Sequence, residues 1–497
     1  MEAAATPVKH YTAYKPRPFK REERKDVTVL FGGLTWKHER LIQGALQNLG
    51  YKAETLPNIA REDLDAGKEL IDVGACCPTT FTTGNLVRFL KERSAIEGPE
   101  AAANNYVFMT AGACGPCRFG QYHESYTMAL DGIGLRDFRL FLLDQTNLDQ
   151  GAAAGGGLEV NLPFTLGIIW GVLCGDILTD LEYRTRPYEV VPGTTDRVLK
   201  DATERLYEAF RHRPVRKSKL GAVAWHLLTR RFTNALRDVK KMFDAIEVDR
   251  LRVKALVKIT GEFWLQTHEG DGNYNIKRWL EQEGAEVMPP PVCVWLDYLL
   301  YMGAQKLTDK GDKKKARQVR WIRSIYKWVY NRFRAAVDGV PSPMPDQDQI
   351  AELAAPFYNY RIEGGEGHML IGKALKAHLE KHAHMICELS PYSCMPNTMS
   401  IGAMANVVGK HPDLLYAPIE VKGDAEVHAL SRLQMVLTEA KKRAQKEYDE
   451  ALGRSGLTPD QVRERAAKTP AIKRGVWQVP HHGCSGTAAN VVLHLAR

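Results

Sequence analysis

The stretch "GACGPCRFG" (residues 112–120) holds Cys114 and Cys117 two residues apart, between glycines and beside a proline. Four further cysteines sit in the same kind of setting. Cys76 and Cys77 lie in "GACCPTT", Cys394 in "YSCMPNT" and Cys484 in "HHGCSGT". Each is at a turn beside Gly or Pro, following an apolar run and leading into a helical pattern. Three chemistries use thiols in this way. Structural zinc takes two close Cys or His pairs, and His481 and His482 beside Cys484 offer nitrogen partners. A thioredoxin-like redox pair fits Cys114 and Cys117 but leaves the other turn cysteines without a task. An iron–sulfur cluster needs thiolates gathered from separate loops, which this arrangement supplies. The three remaining cysteines, Cys174, Cys293 and Cys387, lie in apolar runs and read as buried structural thiols.

The elements that must position these turns alternate between strand and helix. "DVTVLFGG" (26–33), "YKAETL" (51–56), "NYVFMTAG" (105–112) and "FRLFLLDQ" (138–145) are short, apolar and β-rich, with helical patterns between them. A second series follows in "RVKALVKITGEFW" (252–264), "AEVMPPPV" (285–292), "HAHMICELSP" (382–391) and "DLLYAPIEV" (413–421). This alternation predicts an α/β protein with two Rossmann-like parallel-sheet domains, additional helical segments, and the cysteine turns at the domain interface. In open sheets of this kind the ligand sites lie at the carboxyl ends of the strands. Five segments follow: a basic arm over 1–25, a first α/β unit over 26–185, a helical connector over 186–250, a second α/β unit over 251–445, and a helical tail over 446–497 carrying Cys484. A basic helical insertion is expected within the second unit, near 303–345. In "KGDKKKARQVRWIRSIYKWVYNRFR" (310–334), Trp321, Ile325, Trp328, Val329 and Phe333 recur at helical spacing and predict an amphipathic helix packed on its own domain.

At 497 residues, with 44% hydrophobic and 26% charged residues, the composition is that of an ordinary globular protein. The net charge of +9 is modest for this length, and no nucleic-acid-binding motif accompanies it. The N-terminus lacks a secretory h-region. The longest apolar run, "LPFTLGIIWGVLC" (162–174), reads as too short to span a bilayer. A cytoplasmic protein is therefore expected, with no membrane and no nucleic-acid partner, and its nine cysteines serve as buried thiols and metal ligands rather than disulfides.

Four blocks carry a family resemblance: "CCPTTFTTGNLVRFL", "GPCRFGQYHESYTMAL", "VKITGEFWLQTHEGDGNYNIKRWLEQEGAEV" and "LSPYSCMPNTMSIGAM". Together they resemble the iron–sulfur component of the 2-hydroxyacyl-CoA dehydratase, benzoyl-CoA reductase and double-cubane cluster protein superfamily. The likeness is strongest to the cysteine-rich half of its large activator-like members. It runs in order through most of residues 26–440 and is weakest over 185–245 and 303–345. The resemblance implies a 4Fe-4S cube held by Cys76, Cys117 and Cys394 with one iron open. The additional Cys77, Cys114 and Cys484 imply a second cube, hence a double-cubane 8Fe-9S cluster. It further implies a low-potential, ATP-dependent iron–sulfur oxidoreductase acting on a small-molecule substrate, and a homodimer. Electrons would come from a separate ATPase activator of the actin and sugar-kinase fold, since the chain carries no Walker A sequence or Asp-Gly-rich phosphate turn. A dehydratase-like subunit with a single 4Fe-4S cluster, and a non-catalytic electron carrier or cluster scaffold, are the competing functions. Arg118, His123 and the His481–His482 pair are the candidate catalytic groups, the His481–His482 pair as proton donors. Glu262 in "TGEFW" either orients a ligand or anchors a neighbouring loop.

Overall fold

Runs of four to seven residues, mostly apolar and each closed by glycine, proline or a polar residue, form eight strands. In the computed structural model, which describes residues 17–72, 74–112, 117–144, 155–215, 218–362 and 364–497, they pair into two four-stranded parallel sheets. The first contains β1 (Thr28–Phe31), β2 (Lys52–Thr55), β3 (Tyr106–Gly112) and β4 (Arg139–Asp144), in the order β2-β1-β3-β4. The second contains β5 (Ala255–Gly261), β6 (Ala285–Met288), β7 (Met385–Pro391) and β8 (Tyr416–Val421), in the order β6-β5-β7-β8. The protein is thus α/β with two sheets of the same Rossmann-like topology, and every strand lies within a run expected from the sequence.

Register pairs Val29 with Val107 and Phe108 with Leu140 in the first sheet, and Ile259 with Cys387 and Cys387 with Ala417 in the second. Helices cover both faces, so the central strands are buried almost continuously rather than alternately. In each sheet the strand order reverses between the first and third strands of the unit. A crevice opens there at the carboxyl ends. Gly261 shows how tightly that end is built in β5. Its φ is +119°, and a Cβ would lie 2.1 Å from the Leu389 carbonyl oxygen, so only glycine lets β5 end there.

Between the sheets lies a helical core. The helix Leu162–Thr185 packs with Thr194–Arg211, Arg231–Asp244, Val292–Asp309 and Lys313–Ala336 around Ile177, Leu181, Phe210 and Phe232. The segments expected separately as connector and insertion therefore share one apolar cluster. The basic helix buries Val329, Tyr330 and Phe333, whereas Trp321 and Trp328, expected on the packed stripe, are 66% and 50% exposed. The buried stripe is centred one flank over from the two tryptophans.

The helix Leu162–Thr185 also corrects the reading of its apolar run. It continues well past residue 174 and is long and apolar enough to cross a membrane by length and composition, but 67% of its most apolar window is buried inside the protein. Its polar residues are structural. Asp176 accepts from the Val292 and Cys293 amides at 2.8 and 2.7 Å, capping the helix Val292–Asp309. Glu182 meets Lys37.

Lys37, on the helix Trp36–Asn48 that follows β1, is fully buried. Its Nζ lies 2.7 Å from Glu182 Oε2 and 2.7 Å from Glu269 Oε1, in the loop beyond β5. Burial alone would lower the Lys37 pKa, but the two carboxylates more than offset it and hold it above its ordinary value. Arg186 joins Glu182 to Glu281 in the same network.

Candidate functional site

Three of the turn cysteines are N-cap residues. Cys76 precedes the helix Cys77–Glu97, Cys117 precedes the short 3-10 turn Arg118–Gln121, and Cys394 precedes the helix Met395–Lys410. Their backbones are extended where the chain leaves a turn and enters a helix, which is why Gly and Pro flank them. Ser393, at a left-handed φ of 63°, sets up the entry to Cys394. Cys117 follows β3 and Cys394 follows β7, each the strand beside its sheet's crevice. Gly84 lets the Cys76 helix approach its neighbour, since a Cβ there would lie 1.7 Å from the Asp63 carbonyl oxygen.

The Glu262 and Cys76 charges act on Cys117, and the Glu262, Cys117 and Cys76 charges act on Cys394. Burial pushes Cys117 up to about 11, with the Phe119 amide opposing and Glu262 and Cys76 adding to the rise. Burial and then Glu262 raise Cys394 further, against the Asn397 amide. The Thr79 and Tyr122 hydroxyls lie 3.0 and 3.4 Å from Cys76 Sγ. Cys117 and Cys394, raised in this way, stay protonated unless a cationic group joins them.

Glu262 stands at the crevice of the second sheet. Its backbone amide donates to the Leu389 carbonyl at 2.9 Å. Its carboxylate accepts from the Trp264 and Leu265 amides at 3.0 and 2.9 Å, so it caps the helix Phe263–Thr267. Burial pushes its carboxyl up to about 7, the two amides opposing and Glu366 adding to the rise. Of the two roles expected from the sequence, the loop anchor is the one these hydrogen bonds describe.

The remaining expected residues divide. Cys77 is adjacent to Cys76 but is buried in an apolar cluster with Phe81, Trp264 and Tyr274, and burial raises its pKa steeply. Cys114 lies outside the described residues. Arg118 and His123 accompany Cys117. His123 Nδ1 lies 3.9 Å from Glu124, and its Nε2 is buried without a hydrogen-bond partner.

Cys484, His481 and His482 are not brought to this site. Ser485 donates to the Ala383 carbonyl at 3.4 Å, and the Ser485 and Gly486 amides donate to Glu447 at 2.8 and 2.7 Å. Ala383 precedes β7, whereas Cys394 follows it. At about 3.3 Å per residue the strand separates them by roughly 20 Å. His481 Nε2 is 3.1 Å from the Lys381 carbonyl oxygen, and the His482 ring stacks near His494. The Gly-flanked turn of Cys484 has the same local pattern as the others at the opposite end of the sheet. Cys174, Cys293 and Cys387 are fully buried, as expected.

Sequence reading misses Thr79 and Tyr122 as partners of Cys76. Thr79, three residues into the turn, is accessible from helix-start spacing; Tyr122 arrives from another segment and carries no local signal. Among the described residues the cysteines are all free, and no set of three or more His, Cys, Asp or Glu residues is arranged to hold a single metal ion. Cys76, Cys117 and Cys394 are soft sulfur donors from three separate segments at helix starts, the donor type that an iron–sulfur cluster would use. Models of known protein families and the curated protein sequences contain no match to this chain.

Proposed function

We propose that the chain is the iron–sulfur component of a low-potential, ATP-dependent reductase, with Cys76, Cys117 and Cys394 holding one 4Fe-4S cube. The observation that supports this reading is that Cys76, Cys117 and Cys394 each stand at a helix start, the latter two beyond the carboxyl ends of the crevice strands β3 and β7. Such a group supplies one-electron chemistry and an iron open to a small ligand. The Phe119 and Asn397 amides and the Thr79 and Tyr122 hydroxyls stabilise sulfur charge at the three thiols. Arg118 adds positive charge beside Cys117, and His123 stands on the helix that follows. Electrons come from a separate ATPase, a small molecule is reduced, and the working form is a cytoplasmic homodimer.

The placement of Cys484 favours a single cube over the double-cubane form, whose second set would be Cys77, Cys114 and Cys484. Iron and sulfide analysis of anaerobically prepared protein tests both statements. About four irons per chain, lost in Cys117→Ser and Cys394→Ser, is the expected result. A count near eight that falls in Cys484→Ser would restore the double-cubane form. Protein that takes up no iron under reconstitution would overturn the reading altogether.

A further inference from the structure

The crevice of the first sheet holds a second site. A small cleft of about 40 Å³ opens where β1 ends, lined by the Gly32–Gly33 turn, Glu39, Phe108, Tyr126 and His268 among others. One of its polar groups lacks the partners that burial normally demands, and a second lacks a counter-ion. His268 is 4% exposed, and among the described residues neither ring nitrogen has a hydrogen-bond partner. Its ring stacks on Trp264 at 4.4 Å, which fixes its plane. Glu39 is 7% exposed. Its Oε1 accepts from the Leu34 amide at 3.0 Å, and among the described residues it forms no ion pair.

The nearest lysine in sequence, Lys37, is committed to Glu182 and Glu269. Burial therefore pushes the Glu39 carboxyl up to about 8, with the Leu34 and Gly33 amides opposing and Glu269 adding to the rise. Burial and the Lys277 charge keep the His268 imidazole neutral, at about 3.

The lining chemistry selects the ligand. No lysine or arginine lines the cleft, and a carboxyl occupies the turn after β1 where such folds otherwise receive phosphate. Anions are disfavoured. A buried carboxyl without a counter-ion, an imidazole with a free lone pair and two aromatic walls instead complement a cation that donates hydrogen bonds. We infer that this cleft binds a small protonated amine, whose N–H groups donate to the Glu39 carboxylate and to His268 while Phe108 and Tyr126 wall the cation. The site stands independently of any cluster at Cys76, Cys117 and Cys394.

Calorimetric titration of the full chain with ethylammonium chloride tests this, with tetramethylammonium chloride and sodium phosphate as controls. One saturable site for ethylammonium is expected, with weaker binding of tetramethylammonium, which has no N–H, and none of phosphate. Binding at pH 7 should release close to one proton as Glu39 ionises, read from titrations in buffers of different ionisation heat. Glu39→Gln should weaken binding by about tenfold or more, with its melting temperature checked alongside. Saturable phosphate binding, equal binding of tetramethylammonium, an unchanged affinity in Glu39→Gln, or no proton release would each overturn the inference. The proton count uses the natural chain, so it decides the matter even where the variant fails to fold.

Discussion

Strand β7 carries a cysteine turn near each end, and the two turns behave as different objects. Beyond its carboxyl end, Cys394 stands at a helix start where the charges of Glu262, Cys117 and Cys76 reach it. Before its amino end, Cys484 sits in a small apolar cluster with Ala451, Val462 and Val492, and its neighbours are tied down by Glu447. Both turns have a small or Gly-rich flank, a thiol and a following helix. A parallel sheet is polar, and only its carboxyl end gathers helix starts, loops and a crevice. At the amino end the same local sequence makes a staple for the C-terminal tail.

The contrast is broken or sharpened most strongly by paired serine variants. Cys394→Ser should abolish most of the iron uptake, while Cys484→Ser should leave it unchanged, as read by iron analysis after reconstitution. Equal losses would erase the distinction. Next in size is Glu447→Ala, which strands the Ser485 and Gly486 amides and His384 Nε2, 3.0 Å away. A loss of about 3 kcal/mol in urea unfolding is expected, with earlier proteolysis of the tail and no change in iron content.

A smaller effect belongs to the middle of the strand. Glu388 is fully buried there and is pushed up to about 7 by burial, against hydrogen bonds from Tyr416 and Asn397. A carboxyl with a raised folded pKa contributes stability below its unfolded value near 4.5, and that contribution is lost as pH rises through about 7. Glu388→Gln has no such titration. Its stability relative to the natural chain should therefore improve by about 2 kcal/mol between pH 5 and pH 8 in chemical denaturation. A difference that stays flat with pH would show that Glu388 does not titrate in that range. Smallest is Tyr122→Phe, which removes the hydroxyl 3.4 Å from Cys76 Sγ. It should cost about 1 kcal/mol or less, with the thiol site retained.

The strands are legible in the sequence because a parallel sheet covered on both faces demands short, unbroken apolar runs, and "VLFGG" or "HMICELSP" can hardly be anything else. The N-cap cysteines are legible for the related reason that Gly and Pro punctuate strand-to-helix turns. What stays hidden depends on long-range pairing. The apolar run that opens the helix Leu162–Thr185 stops at residue 174, because the following Gly175 and Asp176 look like a boundary. Asp176 is instead consumed by the amides of Val292 and Cys293, more than a hundred residues away. Cys484 misleads in the opposite sense. Its local pattern is that of a strand-to-helix turn, but only the return path of the chain decides which end of the sheet it reaches. Glu39 and His268 give no signal of their pairing, since they come together from the two units, Glu39 outside any quoted block and His268 inside one that points only to the thiols.

The buried ammonium of Lys37 bears on how often the two sheets can part. It is shared between a helix of the first unit and the loop after β5 in the second, so a hinge opening between them strands at least one charge in the interior. Breaking such a pair costs about 3–5 kcal/mol, which leaves an opened form at roughly one molecule in a hundred to one in several thousand. The spacing between Cys117 and Cys394 is then a property of the folded ground state. Any partner that must reach between the sheets has to draw on that rare population, and its association rate would carry the same factor.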